Sequence, residues 1–228
     1  MRLTKLVPAP LRTKIKAVLR DRAIESALKP LRATETMTEA QVAAFLKAWA
    51  DEGFSADTTY IGHIIQLMNA HPSSVLECGT GATTLVANEL GLRHGLRIYS
   101  LEQNLAWVQD MTRRNLEAVT IIHAPLKQIS TDYQWYDVRY PPLPTHFSLV
   151  ICDGPYIDVG LGEPVYSGWR YGVMPWLKNT NRTFDVMLLD DVDHARAPAI
   201  LNRWQREFGA KIERFASSNG RWAIIRPS

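Results

Sequence analysis

The apolar positions of this chain change rhythm near residue 74. From there on they come as short runs, separated by stretches of helical spacing and by turn residues. The runs at 75–78, 97–101, 119–123, 148–152, 185–189, 211–215 and 221–225 predict strands, since short continuous apolar runs suit strands buried on both faces. Helical spacing falls at 83–92, 105–117, 169–177 and 197–208. Strands alternating with helices build βαβ units around a parallel sheet. Only the Ala-Ser-Ser-Asn-Gly turn at 216–220 separates the last two runs. That is too short for a crossover, so the pair reads as a hairpin and the final strand enters antiparallel. The expectation is an α/β chain with a seven-stranded sheet, helices on both faces and the last strand reversed.

Before this region the pattern is helical. Pro8 and Pro10 break the first stretch, and Thr38 with Gln41 forms a capping-box pattern for a helix running toward Asp51, with Gly53 as its stop. A further helix covers 58–69 and closes at Pro72. The expected division is a helical accessory segment over 1–72 and the α/β domain over 73–228.

Composition narrows the picture modestly. The 228 residues suit one domain with an accessory segment, and no apolar run approaches the roughly 20 residues of a membrane helix. No apolar core with a small-residue cleavage site follows the N-terminus. The two cysteines, Cys78 and Cys152, each end a strand-like run and lack metal-ligand spacing, which fits a reducing, cytoplasmic setting. Net charge is only +3, too little to argue for nucleic acid. The basic excess is local: Arg2, Lys5, Arg12, Lys14, Lys16 and Arg20 precede the first acid, Asp21, with Leu and Val residues between them. Such a segment suits a solvated helix or contact with an anionic membrane surface.

The chemistry concentrates where strands end. Glu77-Cys78-Gly79-Thr80-Gly81 places an acid and a glycine turn between the first strand and its helix. The glycines permit a sharp turn and close approach to a ligand, and the helix N-terminus offers free N–H groups. Glu102 ends the next strand, 23 residues after Gly79, where an acid can accept hydrogen bonds from ribose hydroxyls. A dinucleotide site wants a third glycine, and Thr84 stands there instead. A sulfonium cofactor has no phosphate to accommodate, and an acid such as Glu77 favours its cationic groups.

On these residues the chain resembles the class I S-adenosylmethionine-dependent methyltransferases. The first motif is 77–81; Glu102 is similar to the ribose acid; Gln103 follows it; Ala124-Pro125-Leu126 stand where the family touches adenine; and Val150-Ile151-Cys152-Asp153-Gly154-Pro155 resembles the fourth-strand motif. The resemblance implies a Rossmann-like sheet, S-adenosylmethionine as cofactor, and Glu77, Gly79, Thr80, Gly81, Thr84, Glu102, Gln103, Ala124, Pro125, Leu126 and Asp153 around it. Asp153-Gly154-Pro155-Tyr156 lacks the double proline of exocyclic-amine methyltransferases, so the expected partner is a small molecule and not nucleic acid.

Asp153, Asp190 and Asp191 should meet at the carboxyl ends of neighbouring strands. Three carboxylates together call for a cation, and hard oxygen ligands favour Mg²⁺ or a similar divalent ion. This pattern is similar to metal-dependent O-methyltransferases of the catechol, caffeoyl-CoA and macrolide-sugar types, which implies a metal-assisted transfer to a sugar or phenolic hydroxyl. The lysine of the catechol type is missing, and His194 is the candidate base beside Asp153. The glycine-punctuated, aromatic stretch 156–171, with Arg170, suits an acceptor wall, and Thr58 and Tyr60 are candidates for cofactor contact. Three alternatives stay open: a metal-independent N-, O- or C-methyltransferase, a non-catalytic S-adenosylmethionine-binding protein, and a nicotinamide-dependent oxidoreductase.

Overall fold

The computed structural model describes residues 9–49, 56–70, 73–131, 133–139, 142–155, 170–217 and 220–228, with side chains from residue 15 onward. Three helices come first: α1 (Ala9–Thr34), α2 (Glu39–Trp49) and α3 (Thr58–Ala70). There follow β1 (Val75–Cys78), α4 (Ala82–His94), β2 (Ile98–Glu102), α5 (Leu105–Thr112), β3 (Val119–His123), β4 (Leu126–Gln128), β5 (Gln134–Tyr136), β6 (His146–Cys152), α6 (Val173–Asn179), β7 (Thr183–Leu189), α7 (Ala197–Phe208), β8 (Lys211–Ala216) and β9 (Arg221–Arg226). The main sheet has seven strands in the order β3-β2-β1-β6-β7-β9-β8. Its first five strands pair in parallel, and β9 inserts antiparallel between β7 and β8. The expected seven-stranded α/β sheet with a reversed last strand is the one found.

The apolar runs are continuous because both faces of the sheet are covered. Along β6 and β7, Leu149, Ile151, Val186 and Leu188 join one core, while Val150, Cys152, Met187 and Leu189 join the other. The first core also takes Ile24, Leu28, Phe45, Ile61 and Ile64 from α1–α3 and Leu85, Val86 and Leu90 from α4. The second takes Val173, Leu177, Ile200 and Trp204 from α6 and α7 with Trp135 and Tyr136 of β5. The N-terminal helices and the sheet thus share a single hydrophobic cluster.

Several boundaries differ from expectation. Pro10 sits in the first turn of α1 and does not break it, since the missing N–H there has no helical acceptor. Helix α5 ends at Thr112, where Arg113 caps it and Asn115 takes a left-handed conformation. The third helical stretch begins at Val173, and Trp169 lies outside the described residues. The β4–β5 hairpin was not expected, because its strands have only three residues each. The Thr38–Gln41 capping box is present, with Thr38 N–H to Gln41 Oε1 at 2.8 Å and Gln41 N–H to Thr38 Oγ1 at 3.3 Å.

Among the described residues no helix is long and apolar enough to cross a membrane. Of the basic N-terminal segment, residues 1–8 lie outside the described residues, and Ile15, Val18 and Leu19 of α1 face solvent.

Candidate active site

The strand order reverses between β1 and β6, and a cleft opens there at the carboxyl ends of the strands, as the rule for open α/β sheets requires. Its volume is ≈ 390 Å³, and its walls include Gly79, Thr80, Gly81, Glu102, Asp153 and Asp190.

The floor is made by two glycines. Gly79 has φ +94°, and a Cβ on it would lie 2.8 Å from the Gly154 nitrogen. A Cβ on Gly154 would lie 2.6 Å from Tyr136 Oη and 2.8 Å from Gly79 Cα. The ends of β1 and β6 therefore touch backbone to backbone, and Asp153 N–H donates to the Cys78 carbonyl at 3.0 Å. Gly81 N-caps α4, lines the cleft, and has open space where a Cβ would stand. That space is a cradle any side chain would narrow.

Glu102 is buried at the end of β2 and lines the cleft. Its Oε2 accepts the Thr80 N–H at 3.1 Å and its Oε1 the Asn104 N–H at 2.8 Å. Burial raises its pKa, and those two N–H groups oppose the rise. Each oxygen keeps a lone pair for a ligand hydroxyl. Gln103 lines the same wall, beside Trp107, whose Nε1 donates to the Thr80 carbonyl at 2.6 Å.

The three aspartates do meet, but the cation between them belongs to the protein. Arg170 is buried, and its Nη2 donates to Asp191 Oδ2 at 2.7 Å, to Asp153 Oδ1 at 3.1 Å and to the Asp153 carbonyl. Its Nη1 donates to the Asp190 carbonyl at 2.6 Å. Among the described residues no group of three or more His, Cys, Asp and Glu is arranged to hold a metal ion. For the expected Mg²⁺ site on Asp153, Asp190 and Asp191 the described residues give no support, and the Arg170 guanidinium lies against the carboxylates of Asp153 and Asp191.

Burial costs the charged forms. Burial raises the Asp153 pKa, with Arg170 opposing. Asp190 is pushed well up by burial and by the neighbouring Asp153 and Asp191. Burial alone would lower the Arg170 pKa, but Asp153 and Asp191 more than offset it.

Other expected residues stand away from the cleft wall. Glu77 is fully buried, and its carboxylate accepts from Thr83 Oγ1 at 2.5 Å, Thr84 Oγ1 at 2.7 Å and Ser100 Oγ. Thr84 is buried too, and its Oγ1 accepts the Gly81 N–H at 2.8 Å, so it ties the loop to Glu77. Ala124 is buried and donates its N–H to the Glu102 carbonyl at 2.8 Å, while Pro125 is exposed and Leu126 starts β4. None of these five is among the lining residues. His194 is also not among them; it is exposed, with Nδ1 accepting the Arg196 N–H at 3.3 Å. Its pKa is lowered by burial and by Arg196 and Arg170. Tyr60 is buried and donates to the Leu188 carbonyl at 3.3 Å, and neither it nor Thr58 lines the cleft. Of the proposed acceptor wall, 156–169 lie outside the described residues.

The cleft also takes Trp49 and Ala56 from the N-terminal segment and Asn104 and Trp107 from α5 and its cap. Trp49 meets Trp107 edge to face at 5.9 Å. Asn104 carried a readable signal, an Asn before a helix. Trp49 carried none, since it reaches the cleft through the packing of α2.

No protein-family model matches the sequence, and neither does any curated protein. Solved structures do. The N-terminal domain of human METTL16 aligns with a TM-score of 0.52 and 13% identity, covering 83% of this chain and 82% of that one. The same domain in complex with SAH aligns with a TM-score of 0.50 and 13% identity, with the same coverage. The SAH-bound methyltransferase PaMTH1 of Podospora anserina covers 98% of each chain at 12% identity, with a TM-score of 0.47. By its strand order, its reversed last strand and its alignment with the METTL16 domain, this chain has the fold of the class I S-adenosylmethionine-dependent methyltransferases.

Proposed function

We propose that this protein takes a methyl group from S-adenosylmethionine and transfers it to a small-molecule acceptor. One observation carries the reading: a single cleft joins the glycine loop and Glu102 to the carboxylates of Asp153 and Asp190. Glu102 suits the ribose hydroxyls, and the open space at Gly81, beside the N-terminus of α4, suits the amino-acid part of the cofactor. When bound, the cofactor supplies an electrophilic methyl on sulfur.

The chain's own contribution is to hold the acceptor in line and to receive its proton. Orientation of this kind can supply ~7–11 kcal/mol of a barrier. Asp190, whose proton affinity burial and its acidic neighbours raise, is better placed than His194 to take the proton. The expectation of a hydroxyl acceptor leaned on metal activation, and the Arg170 guanidinium bonded to Asp153 and Asp191 favours a reading without it. Two buried free thiols fit a reducing compartment such as the cytoplasm.

Isothermal titration with S-adenosylmethionine, on wild type and on Glu102→Ala, tests the reading. Losing charge-assisted hydrogen bonds of ~1.5–3 kcal/mol should weaken binding by roughly ten- to a hundredfold. Heat from NAD⁺ with none from S-adenosylmethionine would overturn it.

A further inference from the structure

We infer that the leading half of α1 docks on an anionic lipid bilayer, lying along its headgroups without crossing it. None of the α1 residues is among those lining the cleft, so the inference stands apart from the methyltransferase reading.

Helix α1 has two apolar faces. Ile24, Leu28 and Leu31 are buried and join the helix to the core beneath it. Ile15, Val18 and Leu19, at i, i+3 and i+4, make a second stripe and are 43, 51 and 57% exposed. Nine residues, about two and a half turns, separate Ile15 from Ile24, so the second stripe points away from the body of the protein. Every side chain from 15 to 23 is exposed. Six large apolar side chains are exposed among the described residues, and these three fall within five positions, so the patch is a cluster and not scatter. Most helical stability in proteins comes from packing an apolar face, and this stripe is such a face turned to solvent.

Charge selects the occupant. Residues 1–24 carry seven bases and one acid. Lys16 flanks the stripe, and Arg22 and Lys29 extend its face along the helix; all three are exposed. The acids of this stretch turn the other way. Asp21 and Glu25 border the groove between α1, α4 and α5, where Asp21 accepts from Arg114 Nη1 at 3.1 Å. The outward face over 15–29 therefore combines apolar side chains with positive charge.

An anionic bilayer satisfies both. Its acyl boundary takes the Val and Leu side chains, and its headgroups attract Lys and Arg, whose long stems reach them from the helix. A second copy would bring the same bases together, which their repulsion opposes. A phosphodiester backbone matches the charge but leaves the apolar stripe in water. The helix is not long and apolar enough to cross a membrane, so it lies on the surface.

The test is flotation of the whole chain with vesicles of equal parts phosphatidylglycerol and phosphatidylcholine, and with vesicles of phosphatidylcholine alone. The chain should float with the first, bind the second roughly tenfold more weakly or less, and come off the first as salt rises. Lys16→Gln with Arg22→Gln should weaken binding by roughly twenty-fivefold, about fivefold per base. Val18→Gln with Leu19→Gln should weaken it by roughly tenfold or more. Glutamine is a good helix former and these positions are exposed, so both variants should melt like wild type. If either melts early, Leu19→Gln alone takes its place and should weaken binding by roughly threefold. Failure to float, equal binding to both vesicles, or folded variants that float like wild type would overturn the inference. So would a lipid-free dimer that Val18→Gln with Leu19→Gln converts to monomer, since the face would then belong to a second copy. An RNA hairpin that binds more tightly than the vesicles, and is released by the Lys16 and Arg22 substitutions, would assign the face to nucleic acid instead.

Discussion

Glu77 shows how one side chain can serve a site without touching its ligand. Its carboxyl sits inside the protein, and burial pushes its pKa up to about 7 while the Ser100, Thr83 and Thr84 hydroxyls pull the other way. The folded chain therefore binds this proton more tightly than the unfolded chain does. Stability falls as pH rises from the ordinary carboxylate range through about 7, and above that the loss is complete. Glu77→Gln cannot titrate there. Between pH 5 and pH 8 the difference in unfolding free energy should move in favour of the variant by about 2–3 kcal/mol. Urea melts of both proteins at the two pH values measure this, and parallel pH dependence would rule it out. Arg170 makes the complementary point. Its buried guanidinium donates to the Asp153 and Asp191 carboxylates and to the Asp153 and Asp190 carbonyls, and these charge-assisted hydrogen bonds offset the cost of burying the charge.

At the scale of elements, the cleft depends on how closely β1 and β6 approach. Their register pairs Cys78 with Cys152; Gly79 follows one residue on and Gly154 two, and their backbones touch. A methyl group on Gly154 would press on Tyr136 of β5 and on the Gly79 backbone together. Gly154→Ala should cost roughly 1–3 kcal/mol of stability, the usual range for overpacking, and weaken S-adenosylmethionine binding along with it. Denaturant melts paired with calorimetric titration check both, and an unchanged variant would mean that the strand ends part easily. Helix α4 is tied to the same place by Thr84, which satisfies the Gly81 N–H and donates to Glu77. The residue that replaces the third glycine of a dinucleotide site thus fastens the loop to the buried acid.

At the scale of the whole molecule, helices α1–α3 cover one face of the sheet and share its core, and Trp49 carries that cover into the cleft. A chain beginning at residue 73 would expose Leu85, Val86 and Leu90, which are now buried. It should bind the dye ANS and lose its cooperative melt, while a sharp transition in that fragment would show the sheet to be self-sufficient. Much of this architecture was legible in advance. Runs such as 75–78 and 185–189 declare strands because burial on two faces demands unbroken apolar sequence, and the short 216–220 turn forces the last strand to reverse. The glycine loop and Glu102 were legible for the same reason, since turn geometry and the strand end are local properties. The charge pattern of the cleft was not. Arg170 lies 17 residues from Asp153 and 21 from Asp191, and spacing along the chain does not tell that a guanidinium meets these acids. Likewise Glu77 turns inward to three hydroxyls, and Trp49 reaches the cleft from another helix. Local spacing tells which backbone shape a segment takes; which charge meets which, and which side chain borders the cleft, follows only when the sheet order brings distant residues within a few ångströms.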